Sequence, residues 1–264
     1  RGFLNWAEIE LLDRSGVLEI GSHSMSHTWY PTGPEIADFH RPGRATPWLA
    51  WNARPERKPF YLVEDQSWLV PWGMPVYKHG RSLGVRRYIP DPDVAAATIA
   101  HDAARGGAAC FDADGWLDEL RVVAREADRG GGRLETDQEM LERFAFEIGE
   151  AAGIFEARLG RRVHHFCWPG GAYCDESWHL VEQADYRTFT VKRSDLKRWN
   201  GSDPRLVRRI SDHKQYTLLG RSHGTDDAGL LIAGCDAELG RTGARARVRL
   251  RKIFDIAGRL RTGG

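Results

Sequence analysis

Two histidines four positions apart are the residues of this sequence whose types and spacing could hold a metal ion. His23 and His27 stand in the run Gly-Ser-His-Ser-Met-Ser-His, directly after the short apolar segment Val17–Ile20. Two imidazoles at positions i and i+4 of a helical turn face the same way and can bind one divalent cation, for which Zn²⁺, Fe²⁺ and Co²⁺ are suitable. The alternative is two surface or capping histidines, and the spacing alone does not decide between them.

The elements expected around this pair alternate between helix and strand. An amphipathic helix over residues 5–15, with Asn5 as N-cap and Gly16 at its end, precedes a strand over Val17–Ile20. The further predicted elements are helices over 91–104, 114–127, 137–159 and 175–184 and strands over 163–167, 188–191 and 206–210. This alternation indicates an α/β fold with a mainly parallel sheet or a barrel. Because such folds place their chemistry beyond the carboxyl ends of strands, the histidine pair lies where a site is expected.

Residues 31–92 have a different character from the rest of the chain. They hold most of the twelve prolines and show little periodicity, which predicts a long irregular excursion with short strands such as Phe60–Val63. Loops of this length inside a compact domain are usually functional. The segment 71–82, which carries Trp72 and Arg81, is interpreted as a substrate-covering loop that contacts a sugar or an anionic group such as a phosphate. The alternative is a self-packed loop with solvated charges.

Length and composition exclude several classes of protein. The 264 residues fit one large α/β domain or two small ones, and the formal charge of +1 gives no argument for a nucleic-acid partner. No run of 18 apolar residues predicts a transmembrane helix, and no secretory signal is visible. Because the sequence begins with Arg1, we expect a processed chain or a fragment, and the compartment stays open between cell envelope and cytoplasm. The four cysteines form no C-x-x-C pair, which argues against a zinc knuckle.

The carboxyl-terminal segment is basic. Residues 236–264 are predicted to contain a helix, and eight arginines and lysines between Arg241 and Arg261 stand against the single acid Asp255. One interpretation is a helix packed on the domain with solvated arginines. The other is a contact with a membrane surface or a polyanion.

Two segments together resemble one family, the polysaccharide deacetylases (the NodB-homology domain, carbohydrate esterase family 4). Leu18–His27 is similar to the second motif of that family, H-[ST]-x-x-H, and Phe166–Tyr173 is similar to the third, R-x-P-x-G, in the right position between a strand and a helix. The opening helix is also similar to the helix that precedes the histidine motif in the family. The resemblance covers residues 1–30 and 160–195 and leaves 31–135 as an insertion.

The resemblance implies a fold, a metal and several site residues. The fold is a distorted (β/α)7-type barrel, here one partial domain over 1–264 with the long insertion after the metal-binding turn. The family metal is usually Zn²⁺, with Co²⁺, Ni²⁺ or Fe²⁺ as alternatives, and it is bound by one aspartate and two histidines. The histidines map to His23 and His27, and Ser24 takes the hydroxyl position that braces the loop between them. The backbone N–H of Gly170, after the proline of the third motif, maps to the oxyanion hole.

The sequence also departs from the family pattern. The first motif, T-F-D-D-G, which supplies the catalytic base and the metal aspartate upstream of the histidines, is absent, so we expect the first strand or two of the barrel to be missing and this chain by itself to be inactive or nearly so. Cys167 replaces the arginine of the third motif. For the late L-x-x-H motif, Ile210-Ser-Asp-His213 is the nearest candidate and His223 the second.

Hydrolysis of an N-acetyl group needs an activated water, a polarised carbonyl and an acid for the leaving amine. Gly170 would stabilise the oxyanion, and His213 is the candidate acid. Three aromatic residues near the two motifs are candidates to stack on a sugar ring, with ordinary packing as the alternative, and they are Trp29, Trp168 and Tyr173. Glu19 and Asp212 are candidate partners for histidine N–H groups.

The sequence therefore predicts a metal-dependent hydrolase that removes N-acetyl groups from the amino sugars of a bacterial-type glycan. Its partner would be a glycan or oligosaccharide, and its oligomeric state is not predicted. Two alternatives remain: an amidase of the same superfamily that acts on a small non-sugar amide, and a non-catalytic glycan-binding protein that keeps the scaffold without the base. A T-F-D-D-G string upstream would favour the enzyme.

Overall fold

The computed structural model describes residues 3–191, 203–208, 216–218, 221–223 and 228–238, with single positions between 240 and 253. The helices are α1 Trp6–Ser15, α2 Pro47–Ala53, α3 Pro92–Ala104, α4 Trp116–Ala127, α5 Asp137–Ala145, α6 Ala151–Leu159, α7 Asp175–Gln183 and α8 Ala228–Glu238. The strands are β1 Trp29–Phe39, β2 Pro75–Arg81, β3 Tyr88–Ile89, β4 Arg133–Leu134, β5 His165–Cys167, β6 Thr188–Val191, β7 Leu206–Arg208, β8 Tyr216–Leu218 and β9 Arg221–His223.

The chain divides into two compact units. The first comprises residues 1–191 with 198–207, and the second comprises 192–197 with 208–264. Among its described residues the second unit contains the antiparallel pair β8–β9 and helix α8. The predicted basic helix over 236–264 falls mostly outside the described residues. No helix in the described part of the chain is long and apolar enough to cross a membrane.

The described strands form four small sheets in a mixed helix-and-sheet architecture. Strands β5, β6 and β7 lie in that order in one sheet, and β5 pairs with β6 in parallel, as the alternation of helix and strand predicted. The other three sheets are two-stranded, and the described residues close no barrel. The distorted barrel therefore stays a prediction.

The strand predicted over Val17–Ile20 is wrong. Val17 is 82% exposed and Leu18 is 53% exposed. The first residue after this run that pairs with a strand is Ser22. Ser22 forms an isolated parallel bridge with Phe166, in which its N–H donates to the His165 carbonyl at 2.8 Å. The pattern failed because an apolar run becomes a buried strand only where another layer covers it, and no described residue does so here.

The irregular excursion predicted over residues 31–92 is also wrong in its main feature. Strands β1 and β2 form a long antiparallel pair whose register runs from Trp29 opposite Arg81 to Phe39 opposite Pro75. We call this pair the β1–β2 hairpin, although residues 40–74 lie between the two strands. The partner strand lies so far along the sequence that no short hairpin signal marks the pair. The strand expected at Phe60–Val63 is a turn, in which the Phe60 carbonyl accepts the Val63 N–H at 2.9 Å.

Most of the predicted helices are confirmed, and their ends have the predicted chemistry. Asn5 and Glu8 form a capping box at the start of α1, and Gly16 ends that helix in the left-handed conformation. The helix predicted over 137–159 begins with the Thr136–Glu139 capping box, but a π-helical turn over Phe146–Glu150 divides it into α5 and α6.

The core that supports the hairpin lies between β1 and the helices of the insertion. Buried residues of β1, α3 and α4 pack together there, namely Phe39, Val94, Leu120 and Ala124. This packing fixes the far end of the hairpin, while its other end, at Trp29 and Arg81, lies beside the histidine pair.

Candidate functional site

The two histidines lie close together, as the spacing predicted, but not on a helical turn. The His23 and His27 ring centroids are 4.9 Å apart with the ring planes inclined at 43°. The backbone between them is bent, with a positive φ at Ser24 (66°) and at His27 (45°). Ser24 does brace this turn, since its Oγ accepts the His27 N–H at 3.3 Å. We call residues 22–28 the histidine turn.

His23 is oriented by the loop that follows β5. Its Nδ1 lies 2.5 Å from the carbonyl oxygen of Cys167, 144 positions away in the sequence. Because a carbonyl can only accept, Nδ1 carries the proton and the lone pair of the neutral ring is on Nε2. This is the arrangement in which a protein prepares a histidine to bind a metal through Nε2. The contact also brings the second and third deacetylase-like motifs together.

His27 is held in its neutral form. Burial lowers the pKa of its imidazole to about 4, and the nearby His23 ring and the positive charges of Lys58 and Arg81 act in the same direction. The ammonium group of Lys58 donates to the His27 carbonyl at 3.0 Å and also to the Ser26 carbonyl. Burial lowers the pKa of Lys58 to about 8, while Glu147 opposes that shift. A neutral imidazole is the form that can bind a metal.

A buried carboxylate supports the histidine turn from beneath. Glu147 is 1% exposed and accepts hydrogen bonds from the Ser26 N–H at 2.9 Å and from the Ser26 hydroxyl, while its own carbonyl accepts the Met25 N–H at 3.0 Å. The Ser82 hydroxyl lies 3.4 Å from the same carboxylate. Glu147 is part of the π-helical turn, a distortion that is frequent at functional sites.

Arg81 joins the third motif to the histidine turn. It ends β2, and the next N–H, of Ser82, donates to the Thr28 carbonyl at 3.0 Å, which places Arg81 beside the turn. The guanidinium packs directly on Gly170, so any side chain at position 170 would collide with it. Gly170 also has a φ of 55°. The Arg81 Nε is buried and has no hydrogen-bond partner among the described residues.

The other predicted site residues lie in different surroundings. Trp168 is fully buried between Phe166 and Trp178, so it forms the floor of the motif rather than an open wall. Tyr173 packs on Trp168 with ring centroids 5.4 Å apart. Trp72 stacks on His40 at 4.7 Å, and no described contact joins it to the histidines.

Three further candidates stay without a tested role. His213 and Asp212 lie outside the described residues, and His223 is described only as the last position of β9. Glu19 does not contact either histidine of the turn; it lies 3.6 Å from Arg161 and 3.7 Å from His165. Its predicted pairing is therefore not with His23 or His27; the Arg161 guanidinium and the His165 imidazole lie nearer.

The donor set at the histidine turn fits part of a metal site. Two imidazoles are close together, one with its Nδ1 occupied and the other held neutral. Within the described residues no third histidine, cysteine, aspartate or glutamate completes a metal-binding group. A zinc ion in a hydrolase commonly has three protein ligands and one open position. The pair would therefore supply two ligands and would need a third from elsewhere.

Sequence reasoning missed Glu147 and Lys58, the two charged groups that hold the turn. A signal for Glu147 was present, because it stands beside Ile148 and three positions after Phe144, on the apolar face of a predicted helix. A glutamate on that face is expected to be buried and paired. No comparable signal marks Lys58, which reaches the turn from a 3₁₀ turn within the insertion.

Comparison with known proteins assigns no family to this chain. No protein-family model and no curated protein matches the chain. Two solved structures are similar in part: the BpsB deacetylase domain from Bordetella bronchiseptica, at 14% identity, and a de-N-acetylase from Aggregatibacter actinomycetemcomitans, at 10% identity. Each has a TM-score of 0.38 and covers 72% of this chain, which in turn spans 42% of theirs. Likenesses this weak carry no conclusion about fold or function.

Proposed function

We propose that this chain is part of a metal-dependent hydrolase that removes N-acetyl groups from amino sugars of a glycan, on a distorted barrel of the polysaccharide deacetylase kind. One observation carries the proposal: His23 Nδ1 lies 2.5 Å from the Cys167 carbonyl, so two motifs that resemble the family separately meet at one place. Chance similarity of either motif alone would not require this contact.

Each residue at the site has a role in this proposal. His23 and His27 would hold a divalent metal, proposed as Zn²⁺, which when bound supplies a Lewis acid and lowers the pKa of a water molecule. The Gly170 N–H is the proposed oxyanion donor. Arg81, whose Nε is unpaired among the described residues, brings a positive charge to the same place and would attract the developing negative charge.

The proposal also requires groups that the described residues do not provide. A base and a third metal ligand are needed, and the family places both in the T-F-D-D-G motif that this sequence lacks. The acid for the leaving amine, proposed as His213, lies outside the described residues. We therefore expect this chain alone to bind a metal weakly and to release little acetate.

The first experiment measures metal binding by the purified chain. Equilibrium dialysis against Zn²⁺ should show about one equivalent bound at saturation, and His23→Ala/His27→Ala should abolish it. His101→Ala is the matched control, because His101 lies on α3 beside Glu119 and away from the turn. Equal Zn²⁺ binding by the double variant and the wild type would overturn the metal site.

A second candidate function is a glycan-binding protein without catalysis. It is favoured by the aromatic rings that begin beside His27 with Trp29 and continue to Trp48. Acetate release from an N-acetylglucosamine tetramer, measured with Zn²⁺ for this chain and for one extended upstream, separates the two. Saccharide binding with no release by either chain would favour the binding protein, and metal-dependent release by the extended chain would favour the hydrolase.

A further inference from the structure

A row of aromatic rings leads away from the histidine pair. The Trp29 ring meets His27 edge-on with centroids 5.9 Å apart, and Trp48 follows at 5.6 Å from Trp29. His79 then lies against Trp48, with centroids 4.1 Å apart and planes inclined at 35°. We call Trp29, Trp48 and His79 the aromatic row. It is continuous with the proposed metal site and extends beyond it by three successive ring contacts.

The hairpin register explains why two of these rings share a face with Arg81. Trp29 lies opposite Arg81, and Pro31 lies opposite His79. Residues directly opposite one another in an antiparallel pair, and residues two apart on one strand, point to the same side of the sheet. Trp29, His79 and Arg81 therefore lie on one face of the β1–β2 hairpin, and α2 adds Trp48 to that face.

The row is held in place by polar contacts around its inner end. Asn52, at the end of α2, accepts the Thr28 hydroxyl at 2.6 Å and donates to the Trp29 carbonyl at 2.9 Å. Trp51 stacks beneath Trp29 at 5.4 Å, and the Lys58 ammonium lies 4.3 Å from the Trp51 ring centroid. These contacts fix the rings before any ligand arrives, which reduces the entropy lost on binding.

Exposure separates the packing ring from the rings that a ligand can reach. Trp51 is buried, at 6% exposure, and belongs to the support. Trp29 and Trp48 are half-buried and His79 is exposed. Aromatic side chains that keep accessible surface beside a polar site suit ligands with an apolar face and a polar rim.

The chemistry of the row favours a ligand built from repeated rings, each with an apolar face and a polar rim. The rings adjoin one another in succession, so one end of a ligand could remain at His27 while the rest continues over Trp48 and His79. The polar groups beside them, the Arg81 guanidinium and the His79 imidazole, can hydrogen-bond to hydroxyl or amide oxygens at the rim of such rings. Pyranose rings of an oligosaccharide have both properties, an apolar face and a rim of oxygens.

We propose that the aromatic row is a saccharide subsite, in which Trp48 and His79 bind a neighbouring sugar of an N-acetylated amino-sugar oligomer while the reacting sugar lies at the histidine pair. This assignment deepens the proposed function and rests on it for the identity of the sugar. Because Trp48 and His79 belong to the insertion, they would set the preference for chain length independently of the metal.

The test measures binding of N-acetylglucosamine and its tetramer to the purified chain after treatment with EDTA, by titration calorimetry. The wild type should bind the tetramer more tightly than the monomer. Trp48→Ala should weaken tetramer binding about tenfold or more, on the scale of truncating an aromatic anchor, and should leave monomer binding little changed. Trp48→Phe keeps an aromatic face and should retain most of the affinity.

The control is Trp68→Ala, which removes a tryptophan that is 66% exposed and makes no described ring contact with the row. Far-ultraviolet circular dichroism and thermal unfolding verify that the variants fold. Equal tetramer affinity in the wild type and folded Trp48→Ala would overturn the subsite, as would a wild type that does not distinguish tetramer from monomer. Because binding is measured without metal, a chain that binds the tetramer through Trp48 but does not bind Zn²⁺ would contradict the metal-dependent hydrolase and support the row.

Discussion

The histidine turn and the β1–β2 hairpin are adjacent but are stabilised in opposite ways. The hairpin is held by a backbone ladder with two irregularities in its register, and Trp29 packs on Trp51 of α2, so its geometry follows from strand pairing and ring packing. The turn has no repeating hydrogen bonds, and Ser24 and His27 both adopt a positive φ, which costs about 1–2 kcal/mol at a residue with a side chain. Groups distant in the sequence must therefore hold the turn, and buried charge should matter more to it than aromatic packing does.

A buried ion pair adjoins both regions. Breaking it is expected to give the largest loss of stability. Arg143 and Glu135, both nearly inaccessible to solvent, form this pair, and Arg143 also donates to the Val85 carbonyl at 2.9 Å and to the Ser82 carbonyl. Arg143→Ala would leave Glu135 buried without its main partner. We expect a loss of about 3–5 kcal/mol in the free energy of unfolding, measured by urea denaturation.

Two further variants show whether burial is the cause. Arg143→Met with Glu135→Leu removes both charges and should recover most of the lost stability, because no uncompensated charge remains. Arg133→Ala breaks an exposed pair with Glu139 and should cost far less. If Arg143→Ala and Arg133→Ala were equally destabilising, the contrast between buried charge and surface charge in this region would be wrong.

Replacing Glu147 tests what holds the histidine turn in place. The expected loss of stability is intermediate in size. Glu147→Ala removes the acceptor of the Ser26 N–H and hydroxyl and leaves both groups without it, at a cost of about 1–3 kcal/mol. The same change removes the side-chain link between the histidine turn and the π-helical turn, so Co²⁺ affinity should fall about tenfold or more, as it does when groups around metal ligands are lost. Visible absorption of bound Co²⁺ measures this affinity directly.

A control variant separates the positioning of the metal-binding histidines from a general loss of stability. Ile148→Val trims the neighbouring buried side chain and should cost about 0.5–1.5 kcal/mol without changing Co²⁺ affinity. Glu147→Gln retains one acceptor oxygen and should recover part of the affinity lost in Glu147→Ala. Unchanged Co²⁺ binding in folded Glu147→Ala would show that the turn keeps its shape without this carboxylate.

The difference between the two regions also explains what could be predicted from the sequence. Helix ends depend on residues three or four positions apart, so the N-cap at Asn5 and the stop at Gly16 were predictable and are confirmed. The Thr136–Glu139 capping box and the stop at Gly160 follow the same local rules. The parallel pairing of β5 with β6 followed from a strand, a helix and a strand in succession. These features are local, and the sequence pattern contains them.

Features that depend on distant contacts were not predictable in the same way. The pairing of Trp29 with Arg81 joins positions more than fifty residues apart, and no periodicity marks it. The bent conformation of the histidine turn depends on Glu147 and on the Cys167 carbonyl, which a motif of five residues cannot reveal. Conversely, Val17–Ile20 has the composition of a strand but lacks a covering layer among the described residues. Motif similarity predicted which residues would form the proposed site, whereas the contacts that support them required the structure.

The smallest expected effect concerns the capping box at the start of α5. There the charge of the Glu139 carboxylate lies on the surface, and pH determines whether this carboxylate is ionised. Hydrogen bonds from Arg133, at 2.7 Å to each carboxylate oxygen, and from the Thr136 N–H lower the pKa of Glu139 to about 2. A carboxyl whose pKa is lower in the folded state than in the unfolded state stabilises the fold when it is ionised, and that contribution is lost as pH falls. With an ordinary value of 4.5, the loss begins near that pH and is complete below about 2.

Glu139→Gln should therefore be less stable than the wild type at pH 7, and the difference in Tm between the two should shrink steadily from about pH 5 toward pH 2. The matched control is Glu142→Gln, one turn away on α5, where the described partner is the neutral Gln138 amide and no arginine. Added salt should also reduce the Glu139 difference at pH 7, because the pair is on the surface. A difference in Tm that stays constant from pH 7 to pH 2 would mean that ionisation of the Glu139 carboxyl contributes nothing to stability. The cap would then depend on shape and hydrogen bonding alone, and buried charge would remain the distinctive support of the histidine turn.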